Sequence, residues 1–133
     1  IFTGGDIPYE ATNLDQVGTA IAKCLKNPDL TRNQYIYVNS FTVTQNEVLK
    51  ALESATHEKF AISEDTVEHL WQSGTEKVKE GDRMGTLAMI AGAIYGKGGL
   101  AHFSKNKGLW NERLGLPQED LSEFVRKYVA EKK

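Results

Sequence analysis

The sequence is poor in the residues that build most small catalytic or metal centres. Among its 133 residues are one cysteine, Cys24, and three histidines, His57, His69 and His102. A single thiol excludes an internal disulfide and fits a reducing compartment, and it cannot complete a zinc site whose other ligands match no zinc spacing. No apolar run approaches the ~20 residues a membrane helix needs. No segment has the pattern of a signal peptide. A cytoplasmic protein with no membrane partner is therefore expected. An excess of one charge is missing too. Sixteen basic residues face eighteen acidic ones, for a net charge of −2, which removes the electrostatic case for nucleic acid. The basic tail RKYVAEKK, from Arg126 onward, reads as a solvated helix end, where cations suit the negative pole of the helix dipole.

Catalytic signatures are equally sparse. No G-x-S-x-G elbow supports a hydrolase. The stretch GKGG, Gly96 to Gly99, follows an apparent helix rather than a strand. It reads as a helix C-terminal turn using glycine's freedom at positive φ, not as a phosphate loop. Cys24 falls on an apolar helix stripe, where burial raises a thiol pKa and suppresses the nucleophilic thiolate. No catalytic residue and no metal ligand is assigned.

What remains is an ordinary globular composition, 40% hydrophobic and 26% charged, enough for one domain spanning 1–133. Val17, Ala20, Ile21, Cys24 and Leu25 recur at helical spacing. Asn13 and Gln16 stand at capping-box spacing before them, and Asn27-Pro28 closes the helix. Gln34 to Val38, QYIYV, has the β-branched and aromatic character of a strand covered on both faces. Thr44 and Glu47 form a second capping box, followed by the stripe Val48, Leu49, Leu52 and Ala55. Lys59 to Ser63 is a short strand candidate. Asp65 and Glu68 cap a third helix that buries Val67, Leu70, Trp71 and Val78. Gly81-Asp82 breaks the chain. Leu116-Pro117 opens a last helix with the face Leu121, Phe124, Val125, Tyr128 and Val129. His57, just past the second capped helix, sits where a left-handed residue is often needed. The chain opens on Ile1 inside an apparent strand, IFTGG, as expected of a processed chain or of one piece of a longer polypeptide.

The segment MGTLAMIAGAIYG, from Met84, differs from the rest: apolar almost all round and rich in Ala and Gly. Such a helix is expected to be enclosed on several sides, its small residues admitting close neighbours. Met84, Met89 and Tyr95 can wall an apolar ligand site, since the thioether adapts its shape, or can simply be core. His102 and Phe103, in LAHFSKN, pose the same choice between pocket lining and loop packing.

The order of these pieces resembles the C-terminal half of the NmrA-like and isoflavone-reductase-like families, atypical short-chain dehydrogenase relatives. The matching residues are Asp15-Gln16-Val17-Gly18 (one residue longer than the family's D-[IV]-G), Asn27-Pro28-Asp29, Asn33 before the strand, and Thr44-Gln45-Asn46-Glu47. The tail LGLPQEDLSEFVRKYV resembles the closing helix of the fungal branch. His57 stands where the family often has Gly. The resemblance implies an α/β fold: the mostly helical C-terminal lobe of an NAD(P)-binding Rossmann-type protein, with two or three short strands. It implies a Rossmann lobe, carrying the Gly-rich loop and the reductases' catalytic Lys, that is largely absent here. This chain would then shape the substrate pocket, with Met84, Met89, Tyr95, His102 and Phe103 facing a small, aromatic or polyketide-like substrate. NADP or NAD is expected in the full-length parent and none on this chain alone, which is expected to be inactive. The missing lobe, or self-association through exposed apolar surface, is the expected partner. The families also include regulators that bind dinucleotide and a protein partner without turnover. An interaction module without the cofactor lobe is the third possibility.

Overall fold

Asn27-Pro28 stops the first helix where the sequence predicts, and most of the helical expectations hold in the same way. In a computed structural model that describes residues 1–132, α1 spans Leu14–Lys26 and a short α2 spans Pro28–Thr31. The remaining helices are α3 (Gln45–Thr56), α4 (Val67–Lys79), α5 (Met84–Tyr95), α6 (Phe103–Asn106) and α7 (Leu121–Glu131). Lys133, the last residue of the basic tail, lies outside the described residues. Two three-residue strands, β1 (Tyr9–Ala11) and β2 (Phe41–Val43), pair antiparallel with Glu10 opposite Thr42. The chain is thus a mostly helical α/β lobe with a two-stranded sheet.

The strand number is as expected, but the strands lie elsewhere. Gln34–Val38 and Lys59–Ser63 have no regular structure, and IFTGG is an isolated bridge at Phe2 followed by a 3-10 turn, Thr3–Gly5. A strand needs a neighbour to accept its N–H groups, and composition cannot supply one. Phe41-Thr42-Val43 does alternate buried, exposed, buried, but over only three residues.

The Thr44 capping box is present with both of its hydrogen bonds, Thr44 Oγ1 accepting from Glu47 N and Glu47 Oε2 from Thr44 N. His57 ends α3 in the left-handed conformation at φ 59°. The first capping box does not form. The Asn13 amide reaches Glu119 Oε1 instead, and Gln16, 3% exposed, donates to the carbonyls of Asn39 and Pro117. Gln16 is thereby a tie between α1 and two loops. Thr66, not Asp65, caps α4. The Asp65 carboxylate accepts from Thr66 N and faces His69, whose hydrogen bond leads the causes that hold it below the usual carboxylate range. α7 starts at Leu121 rather than at Leu116-Pro117, because the Asp120 carboxylate accepts the Glu123 N–H and the Pro117 carbonyl is turned to Gln16.

α4 and α5 form a hairpin around Gly81, at φ 85°. They cross at glycine: a Cβ on Gly74 would stand 2.8 Å from the Gly85 carbonyl oxygen. The close approach predicted from the small residues of α5 is therefore real. Enclosure on several sides is not, since Met84, Leu87 and Ile90 are at least half exposed. α1 is similar. Its buried side is Gln16 and Ala20, Cys24 is half-buried, and Leu14, Ile21 and Leu25 are exposed. Among the described residues the buried apolar ones are Ala20, Phe41, Val43, Ala51, Ala101, Leu114 and Val125. With three alanines among seven, this interior is thin for the chain's size.

Candidate functional site

β1 is the residue-by-residue organiser of the expected site. On one side of it, Tyr9 meets Tyr95 at the C-terminal end of α5, edge to face, with ring centroids 5.2 Å apart. Phe2 stacks on the same Tyr95 at 5.6 Å. These are the separations at which aromatic quadrupoles attract. The next residue, Glu10, holds the other side. Its N–H donates to the Ala101 carbonyl, and its Oε1 accepts the N–H of Ser104 in the first turn of α6. That turn carries Phe103, whose ring tilts against Tyr37 at 5.0 Å.

Tyr95, His102 and Phe103 are therefore gathered about one strand. His102 is half-buried at the start of α6, and Gly99, at φ 60°, turns the chain toward it. Met84 and Met89 are not part of that group. Met84 opens α5 and Tyr95 ends it, so the twelve-residue helix separates them by about 16 Å at 1.5 Å rise per residue. Met89 packs on Gly74 of α4. Tyr9 and Glu10 are the residues that the sequence alone does not single out. Three residues between Pro8 and Thr12 are too short for periodicity to register.

Burial raises the Tyr9 phenol to about 12, with the Tyr95 phenol adding to the effect. Tyr9 keeps its proton at neutral pH and is no base. Glu10 goes the other way. Burial pushes its carboxyl up, but hydrogen bonds from Ser104, Thr42 and Asn39 outweigh it, and the net shift is downward. Asn39 Nδ2 donates to Glu10 Oε2 at 2.6 Å and Thr42 Oγ1 at 2.7 Å. Asn111 closes the ring, exchanging hydrogen bonds with the Asn39 main chain. With its oxygens already satisfied, Glu10 serves as an anchor between β1, β2 and α6.

Two concavities lie beside this network. One, of about 670 Å³, touches Asn39, Thr42, Asn111 and Arg113. The other, of about 430 Å³, runs between the start of α1 and α7, past Asn13, Glu119, Phe124 and Tyr128. Met84, Met89, Tyr95, His102 and Phe103 line neither. GKGG sits at the C-terminal end of α5, where exposed carbonyls and the negative dipole pole oppose a phosphate. A dinucleotide pyrophosphate does not fit there. Among the described residues no group of three or more His, Cys, Asp or Glu is placed to hold a metal ion, and no helix is long and apolar enough to cross a membrane.

The chain is similar to curated fungal proteins. It is 28% identical over 98 residues to Oxidoreductase poxI of Penicillium oxalicum, a match that covers 74% of this chain and 31% of that protein. It is 27% identical over 125 residues to Oxidoreductase aprR of Aspergillus flavus, covering 94% of this chain and 42% of the relative. The chain thus spans less than half the length of these relatives. No family model matches it, and no solved structure does.

Proposed function

We propose that this chain is the substrate-binding lobe of an NAD(P)-dependent oxidoreductase-like protein of the NmrA-like or isoflavone-reductase-like type. The observation that carries the reading is the similarity to two proteins named oxidoreductases, poxI and aprR. The geometry adds a chemical preference. Tyr95, packed against Phe2 and Tyr9, and Phe103, packed against Tyr37, form two aromatic clusters that flank β1. Rings of this kind are suited to a small aromatic or polyketide-like molecule, which stacks on aromatic groups and needs few polar partners. On this reading NADP or NAD binds to a Rossmann-type lobe outside this chain. This chain supplies walls and orientation, and no residue in it is assigned a proton transfer.

The exposed apolar faces support the same reading. Leu14, Ile21 and Leu25 on α1, and Met84, Leu87 and Ile90 on α5, are exposed large apolar side chains. The Rossmann-type lobe would cover some of them.

The test is NADPH consumption by the full-length polypeptide with a panel of aromatic ketones. The expected outcome is turnover, with Phe103→Ala and Tyr95→Ala raising KM several-fold while dinucleotide affinity stays unchanged. Saturable dinucleotide binding with no turnover, together with a captured protein partner, would replace this reading with the regulatory one.

A further inference from the structure

The turn from Trp110 to Gly115 carries two opposite charges on a rigid frame. Its anchor is Asn39, 6% exposed. The Asn111 side chain takes the place of a strand neighbour there: its Oδ1 accepts the Asn39 N–H at 3.2 Å, and its Nδ2 donates to the Asn39 carbonyl at 2.8 Å. Main-chain bonds of 2.9 Å close the turn, from Leu114 N to the Trp110 carbonyl, Gly115 N to that of Glu112 and Leu116 N to that of Asn111. Gly115 supplies the left-handed step at φ 58°, and buried Leu114 pins the turn to the interior. A backbone fixed in this way leaves little for a ligand to order on binding.

Glu112 and Arg113 line the cleft of about 670 Å³, together with Leu109, Asn111 and the buried Asn39. That volume is in the range of small-molecule sites. The Arg113 guanidinium lies over the Trp110 ring, 4.9 Å from its centroid. Stacking restrains the planar fork and leaves its N–H edge free to donate. Among the described residues neither Glu112 nor Arg113 is in a salt bridge, although they are neighbours in sequence and line one cleft. Two unpaired charges of opposite sign complement a ligand that carries an anion and a hydrogen-bond donor together. A phosphate dianion suits the cleft less, because Glu112 repels its second charge. We propose that the cleft binds a small carboxylate bearing a hydroxyl or an ammonium group. Arg113 takes the carboxylate through its N–H donors, Glu112 accepts from the hydroxyl or ammonium, and Leu109 meets the apolar part of the ligand. The site is separate from the one assigned to substrate, since Tyr95 and Phe103 do not line this cleft.

Calorimetric titration of the full-length polypeptide with a matched set of acids decides it. Mandelate, phenylglycine and phenylacetate carry a hydroxyl, an ammonium or a hydrogen beside the same carboxylate, and methyl mandelate lacks the anion. The expected result is saturable binding of mandelate or phenylglycine with Kd below about 1 mM. Phenylacetate and methyl mandelate should bind at least about tenfold more weakly, each lacking one charge-assisted contact. The tighter of the first two tells a hydroxy acid from an amino acid as the ligand. Arg113→Lys keeps the charge and loses the fork, and should weaken binding about tenfold. Glu112→Ala should abolish the advantage over phenylacetate. Both side chains are exposed, so neither variant threatens the fold. No saturation by any of the acids would overturn the proposal. So would equal binding of methyl mandelate, tighter binding of inorganic phosphate, or unchanged affinity in Arg113→Lys.

Discussion

The carboxylate of Glu10 accepts the main-chain N–H of Ser104 at 2.9 Å, across 94 positions of sequence. That one contact joins the two-stranded sheet to the turn bearing Phe103. Because the Thr42 hydroxyl and Asn39 amide donate to the same carboxylate, all its known partners are donors.

Glu10→Gln would set an amide NH₂ against those donors. We expect a loss of about 1 kcal/mol, within the range for a hydrogen bond to a partly exposed charged group. Urea denaturation at pH 7 measures it. A fall smaller than the error of the midpoint would show that water replaces the network at no cost.

The same network predicts an acid limb. The folded pKa of Glu10 lies below its ordinary 4.5. Its contribution is therefore complete above the ordinary value and is lost as pH falls through the lowered folded one. Stability of the wild type should drop more steeply below pH 4.5 than that of Glu10→Gln. Parallel curves would contradict the assignment.

Tyr9 sets an alkaline limb of opposite sense. Its folded pKa is raised from 10.0 to about 12. The stabilisation is intact below the unfolded value and disappears as pH climbs through the folded one. Tyr9→Phe should thus lose less stability than the wild type between pH 10 and about 12. Thermal melts across that interval, with the difference between the two proteins as readout, remove the contribution of the other tyrosines.

Two glycines give opposite predictions for the same substitution. A Cβ at Gly85 would fall on the Gly74 carbonyl oxygen and 2.8 Å from the Val78 nitrogen, all main-chain atoms that cannot swing aside. Gly85→Ala should destabilise by about 1–3 kcal/mol through overpacking of the α4–α5 crossing. Gly18, inside α1, has no atom within 4 Å of the added carbon, so Gly18→Ala should stabilise by about 0.5–1 kcal/mol. Paired melts check both, and equal shifts for the two variants would refute the crossing.

Thr44→Ala removes the oxygen that accepts Glu47 N at 3.2 Å and dismantles the capping box. About 1 kcal/mol of stability should go with it. Thr44→Ser, which keeps the oxygen, should retain most of that.

Local signals carried the helices. The Thr44–Glu47 box, the Asn27-Pro28 stop, the left-handed His57 and the full extent of α5 were legible because each depends on residues a few positions apart. The strands were not. Gln34–Val38 has the right side chains and, among the described residues, no partner strand, whereas Tyr9–Ala11 and Phe41–Val43 have partners and almost no pattern. Pairing is a property of two distant segments, and only their meeting reveals it. The site divides the same way. Tyr95 stood out with the two methionines of the apolar α5 segment and Phe103 with His102 in LAHFSKN, but Tyr9 and Glu10, which flank them, became visible once the chain had brought positions 10 and 104 together. Met84, chosen with Tyr95 from the same segment, lies a helix length from it, because an apolar segment does not say which of its residues meet along the axis.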